Sequence, residues 1–289
     1  MAHKPEEAVL FFGYEPPLER TSPEHKAKRD EYLYAFLFQM PAKAYLHAIN
    51  FNYSIAALMD VLVSGKTSFK VEVPYKLIET GPKGEKPLIV YLHGKGQNIP
   101  IFEKLMRPML DFNAYHLFIQ GPYPDAQATG DQEKWRHMWY LYNGRQGSFI
   151  KSMEYTAEFI QEIVDHVIQF IKVSRLCVIG YSMGGYQGAY FGTSRWKHTN
   201  EIIVMAARIK TELLTGKWDK LTHQHILAIH GLQDDVVLPG PQKDEIEKLR
   251  QKKINATFTG INEGHKLTSK YLKEADKWLI SLGYTKIAT

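Results

Sequence analysis

Disulfides are excluded at once, because the 289 residues contain a single cysteine, Cys177. It sits inside an apolar run, where a lone cysteine acts as a small buried hydrophobe. Long apolar runs are missing too. The longest, near residues 34–38 and 55–63, are too short and too interrupted to span a bilayer. The opening Met1-Ala2-His3-Lys4-Pro5-Glu6-Glu7 lacks the apolar stretch of a secretory leader. These absences lead to the expectation of a soluble, cytoplasmic protein with no transmembrane segment. Charge of one sign is not concentrated anywhere. Lys and Arg number 36 against 31 Asp and Glu, a formal charge of +5, and the cations are scattered. Without a basic stripe and interleaved aromatics, nucleic acid is not an expected partner. No repeat and no low-complexity tract occurs. What is present, 44% hydrophobic and 23% charged residues over this length, suits a globular chain with one large α/β domain or two small ones.

The first stretch, residues 1–66, reads as a helical extension. Residues 24–40 are rich in Lys, Glu, Ala, Leu and Tyr, Pro41 ends or kinks that helix, and residues 42–63 form a second. The extension either packs on the main domain, covers the active site as a lid, or makes a homodimer contact. The main domain is expected over 67–289. Phe69, Val71, Val73 and Tyr75 alternate with polar residues as a half-buried strand, and Pro74 assigns it to a sheet edge. Pro87 to Leu92 is an apolar strand running into His93-Gly94-Lys95-Gly96. A helix is expected over 102–109 and a strand over 115–120. A long loop over 125–147 carries Trp135, Trp139, Tyr140 and Tyr142, and a loop of that length is usually functional. The aliphatic spacing of Phe159, Ile160, Ile163, Val164, Val167, Ile168 and Ile171 predicts a helix over 152–172. Strands follow at 176–181, 201–206, 226–229 and 256–261, separated by helices at 186–191, 244–252 and 267–282. Such alternation predicts a mostly parallel sheet with helices on both faces and ligands at the carboxyl ends of the strands.

Four loops at those ends carry chemistry. Leu176 to Ile179 enters Gly180-Tyr181-Ser182-Met183-Gly184-Gly185, a Gly-x-Ser-x-Gly turn between strand and helix. That context strains the serine and exposes its hydroxyl. His93-Gly94-Lys95-Gly96, His230 to Asp235 and Gly264-His265 complete the set, and the chain order is Ser, Asp, His. A serine hydroxyl needs a base to become a nucleophile. Histidine, His265 here, serves as that base and then as acid toward the leaving group. An aspartate fixes the imidazole tautomer. The oxyanion of the tetrahedral intermediate needs backbone N–H donors, expected from Met183 and Lys95. His93 and His230 read as strand-end residues that bond backbone. His223 and His225 lack a third ligand at a matching spacing, so neither metal nor cofactor is expected. The run 243–253 reads as a solvated helix face.

In these motifs the chain resembles the α/β-hydrolase superfamily, and most closely its phospholipase/carboxylesterase branch, which includes acyl-protein thioesterases. Leu92-His93-Gly94-Lys95-Gly96, Gly180 to Gly185, His230-Gly231-Leu232-Gln233-Asp234-Asp235-Val236-Val237 and Gly264-His265 match that branch over residues 69–283. The resemblance implies a Ser182, His265, Asp234 triad that cleaves a small carboxylic ester or thioester through an acyl-enzyme. The spacing from His230-Gly231 favours Asp234 over its neighbour Asp235. The loop holding Trp139 and Tyr140 is similar to one near the family's acyl site, so both residues are expected to contact substrate, although the aromatics of 135–142 could equally pack the loop. Lys95 departs from the family's usual apolar residue; its side chain either attracts an anionic substrate or points to solvent. No large insertion separates the strand at 201 from that at 226, which leaves the site open unless the N-terminal helices cover it. Two other functions use the same residues: an amidase or peptidase with the same triad, and a ligand-binding protein on the hydrolase fold with little turnover.

Overall fold

The computed structural model describes residues 72–125, 134–142, 144–214 and 216–287. The expected helices at 24–40 and 42–63, with their lid and homodimer readings, lie outside the described residues, as does the start of the first expected strand.

Nine strands and five α-helices appear in order among the described residues: β1 Tyr75–Glu79, β2 Lys86–Leu92, α1 Ile99–Leu105, β3 Tyr115–Ile119, β4 Tyr123–Pro124, β5 His137–Met138, α2 Gln146–Val167, β6 Val173–Tyr181, α3 Met183–Ser194, β7 Glu201–Met205, β8 His225–Gly231, α4 Pro239–Gln251, β9 Asn255–Ile261 and α5 Ser269–Ser281. Seven strands form one sheet in the order β1-β3-β2-β6-β7-β8-β9. Only β1 runs antiparallel to its neighbour. β2 shows why both faces are covered. Its residues Ile89 and Tyr91 join Phe102 and Leu279 on one face, under α1 and α5. Leu88, Val90 and Leu92 join Ile160, Val164 and Phe191 on the other, under α2 and α3. Ile246 and Leu249 of α4 cover the same side further along, against Ile202, Val204 and Ile226. Side chains alternate across a strand, so one apolar strand supplies both cores.

Several boundaries differ from the sequence expectation for identifiable reasons. β1 is at the edge, as Pro74 implied, but it begins after Pro74, which has no N–H for the ladder and only accepts a bond from Gln120 N–H at 3.1 Å. α1 starts three residues early because Asn98 caps it, its Oδ1 accepting from Ile101 N–H at 3.1 Å, with Pro100 in the first turn. It ends at Leu105, and a 3₁₀ turn at Arg107–Asp111 takes over around Pro108. α2 begins at Gln146 and stops at Val167, because residues 168–172 must turn the chain into β6. α4 starts at Pro239, whose fixed φ suits a first helical turn. The expected loop 125–147 is not wholly irregular: β5 pairs with β4, and Gln97 bridges to His137.

Candidate active site

Three loops at the carboxyl edge of the sheet converge. At the end of β6, Ser182 has φ 52° and ψ −119°. A non-glycine residue there is strained by about 1–3 kcal/mol. Its N–H donates to Met205 O at 2.8 Å, and its carbonyl accepts from Gly185 N–H at 2.8 Å and Tyr186 N–H at 3.1 Å. Three bonds at about 0.5–1.5 kcal/mol each are enough to hold it. The turn closes only around glycine. A Cβ at Gly180 would lie 2.1 Å from Gly184 O, and one at Gly184 would lie 2.2 Å from Leu92 O.

Asp234 follows β8 with its carboxylate buried. Its Oδ1 accepts from the N–H groups of Val236 at 3.0 Å and Val237 at 2.8 Å. Its Oδ2 lies 2.8 Å from His265 Nδ1 and 3.3 Å from His230 Nε2. His265 follows β9, and its Nε2 stands 2.9 Å from Ser182 Oγ. The structure therefore brings Ser182, His265 and Asp234 into one series and leaves Asp235 exposed beside it.

Sequence reasoning missed the groups that sew these loops together. Tyr271 Oη accepts from Gly231 N–H at 2.9 Å and donates to Gly264 O at 3.1 Å, bridging the Asp and His loops. Tyr181 Oη donates to His265 O at 2.5 Å. Leu232 N–H and Gln233 N–H donate to Ile261 O and Glu263 O at 2.8 and 3.0 Å. His230, expected to bond backbone, does so through Nε2 to Val237 O at 2.8 Å, and the same N–H faces Asp234. Burial pulls His230 below the ordinary histidine range, and its Nδ1 has no partner. Tyr181 stood inside the serine motif and could have been suspected. Tyr271 carried no signal, since an aromatic on an amphipathic helix reads as core.

The loop after β2 is held by His93. Its Nδ1 donates to Gly94 O at 2.7 Å while its Nε2 accepts from Gly121 N–H at 3.0 Å, which assigns the neutral tautomer. Burial lowers its pKa to about 4. Gly94 N–H is taken by Gln97 Oε1 at 2.8 Å and Gly96 N–H by His137 O at 3.0 Å. Between them, Lys95 N–H has no backbone acceptor in the loop. Met183 opens α3, so no carbonyl lies one turn back within the helix to accept its N–H. Lys95, Ser182 and Met183 line one cavity of about 930 Å³.

Tyr140 also lines that cavity, as does Tyr142, and both rings stand edge-on to Phe149, at 4.9 and 5.4 Å between centroids. Trp139, expected either to contact substrate or to pack the loop, is not among the residues lining the cavity. Its ring is fully buried, with Nε1 donating to His93 O at 2.7 Å, so it supports the turn from behind. His223 bonds Trp196 O and His225 bonds Asn255. Among the described residues no three His, Cys, Asp or Glu side chains gather as a metal site. No helix among them is long and apolar enough to cross a membrane.

A mainly parallel sheet covered on both faces, with a strained serine between strand and helix, defines the α/β-hydrolase class. Residues 73–282 match the family model described as phospholipase/carboxylesterase, and the chain belongs to that family. It is a hydrolase of the serine esterase class. Solved structures agree on the fold. Esterase PE8 is 20% identical with a TM-score of 0.58, covering 73% of this chain and 99% of its own. Acyl-protein thioesterase 2 of Zea mays is 18% identical with a TM-score of 0.56, covering 72% and 98%. The Bacillus cereus carboxylesterase is 16% identical with a TM-score of 0.56, covering 72% and 94%. None of the curated proteins matches the chain in sequence.

Proposed function

We propose that the protein hydrolyses a carboxylic ester or thioester through an acyl-enzyme on Ser182, with His265 as base and acid and Asp234 as its orienting partner. The observation that carries this reading is the unbroken series Ser182 Oγ, His265 Nε2 at 2.9 Å, His265 Nδ1 and Asp234 Oδ2 at 2.8 Å. Oγ attacks the carbonyl carbon as Nε2 takes its proton. The negative charge moves to the carbonyl oxygen, where the N–H groups of Lys95 and Met183 are the proposed donors. The tetrahedral intermediate collapses, the bond to the leaving oxygen or sulfur breaks, and His265 returns the proton to that atom. Water then attacks acyl-Ser182, His265 takes its proton and hands it to Oγ, and the carboxylic acid departs. No step needs a cofactor. The thioester arm has support from the fold shared with the Zea mays acyl-protein thioesterase 2. Soluble, cytoplasmic operation on a small substrate is part of the same proposal.

The test is labelling by a fluorophosphonate probe read by intact mass, with Ser182→Ala beside the wild type. One adduct in the wild type and none in the variant is the expected result, with ester hydrolysis lost in parallel. Equal labelling of both proteins, or full esterase activity in the variant, would refute the assignment.

A further inference from the structure

We propose that the acyl half of the substrate ends in an anionic group, held at the wall of the cavity by Lys151 with help from the Lys95 ammonium; this rests on the esterase reading above. The first step assigns the cavity to the acyl half. His265 must hand its proton to the leaving atom, so the leaving group lies beside His265. Ser182, Met183 and Lys95 line the cavity, whereas His265 does not. The space therefore extends from the carbonyl away from the leaving group.

The second step is the chemistry of its walls. The volume of about 930 Å³ lies within the range of small-ligand pockets, roughly 300–1,000 Å³. Part of the wall is apolar, from Met138, Leu141 and Met183. The helix α2 presents Ser148, Lys151, Ser152 and Tyr155 to the cavity. Their spacing of three, one and three residues puts them on one helical face. The apolar face of the same helix, including Met153, Ala157 and Ile160, is spent on the core. The rings of Tyr140 and Tyr142, which pack on Phe149 of the same helix, also line the cavity and suit an apolar body.

The third step is charge. No Asp or Glu lines the cavity among the described residues, while two lysines do. Lys86, Lys210 and Lys270 each meet a carboxylate, but neither Lys95 nor Lys151 makes an ion pair among the described residues. The Lys151 Nζ lies 5.5 Å from the centroid of the Tyr155 ring, which keeps the ammonium over the wall. Two uncompensated cations over a tyrosine-lined pocket suit an acyl group with an apolar body and a terminal carboxylate or similar anion.

The test compares two substrates of nearly equal size. Mono-4-nitrophenyl adipate carries a free terminal carboxylate, and methyl 4-nitrophenyl adipate has it masked. Nitrophenolate release gives the ratio of kcat/KM for charged over neutral ester, in the wild type and in Lys151→Gln. The expected ratio exceeds one in the wild type and falls about fivefold in the variant, the factor of one solvent-exposed ion contact, and it shrinks as salt is raised. A ratio at or below one that Lys151→Gln leaves unmoved would overturn the anion site while the esterase reading stands. If neither ester turns over, the esterase reading fails. Titration calorimetry of adipate into Ser182→Ala then decides the site by itself. Binding that Lys151→Gln abolishes upholds it, and no binding overturns it.

Discussion

Asp234→Asn separates a catalytic series from mere proximity, because an amide cannot satisfy what the carboxylate satisfies. Four donors meet the two oxygens: Val236 N–H and Val237 N–H on Oδ1, and His265 Nδ1 and His230 Nε2 on Oδ2. Asparagine offers one oxygen and one NH₂. If the NH₂ faced the two backbone amides, donors would meet donors and both bonds to Val236 and Val237 would be lost. Backbone cannot change tautomer, so the oxygen stays with Val236 and Val237. The NH₂ then faces His265, and the imidazole must turn its unprotonated nitrogen toward it. The ring proton moves to Nε2, where it points at Ser182 Oγ, and the base is lost. His230 tolerates the change better, since its Nε2–H keeps Val237 O. The expected loss in kcat/KM is on the order of 10⁴, as for removal of the orienting carboxylate in other serine hydrolases. The assay is nitrophenyl ester hydrolysis, with a thermal melt to show that the variant is folded. Asp235→Asn, on the exposed neighbour, is the control. A folded Asp234→Asn enzyme within tenfold of wild type would refute the argument from tautomers.

Tyr271→Phe should leave Gly231 N–H buried without its acceptor and unlink the Asp and His loops. About 1–3 kcal/mol is lost, read as a melting temperature lower by several degrees, together with a fall in kcat; an unchanged melt would contradict the bridging role. Acid should destabilise the fold through His93 and His116, both brought to about 4 by burial. Each folded pKa lies below the unfolded value of about 6.5, so the unfolded chain takes up the proton first as pH falls. The stability is intact above about pH 6.5 and is lost on the way down to about pH 4, by roughly 3 kcal/mol per histidine. Urea midpoints measured from pH 7.5 to 4.5 check this, and His116→Asn, which removes one such group, should lose less on acidification than the wild type.

The sheet was legible because its strands are buried on both faces. Leu88 to Leu92 and Ile202 to Met205 are unbroken apolar runs, and no alternative element hides a stretch that short and that apolar. Boundaries were less legible because they are decided by polar residues. Asn98 caps α1 through one side-chain bond, and α4 starts at Pro239, ahead of the charged run 243–253 from which a helix was expected, in a Pro-Gly-Pro stretch that reads as a turn. The short pairing of β4 with β5 was invisible because two-residue strands carry no period.

The site divides along a different line. Ser182, Asp234 and His265, the proposed triad, stand together in the structure as the motifs suggested, because each sits at a strand end, where turn chemistry and glycine restrict what the chain can place. Trp139 and Tyr140 are adjacent and equally aromatic, yet one is sealed behind His93 and the other faces the cavity. Both follow β5 in a bend, and which of the two turns inward is decided by tertiary contacts, the Trp139 bond to His93 O and the Tyr140 packing on Phe149, that no local pattern announces. His230, Tyr181 and Tyr271 act through bonds to residues 4 to 84 positions away, which exist only once the strands are in order. The proposed reacting atoms are therefore written into short motifs, while the scaffold that holds them in line is distributed over the fold. A change at Tyr271 should then damage stability and turnover together, whereas a change at Ser182 should remove turnover and leave the fold standing.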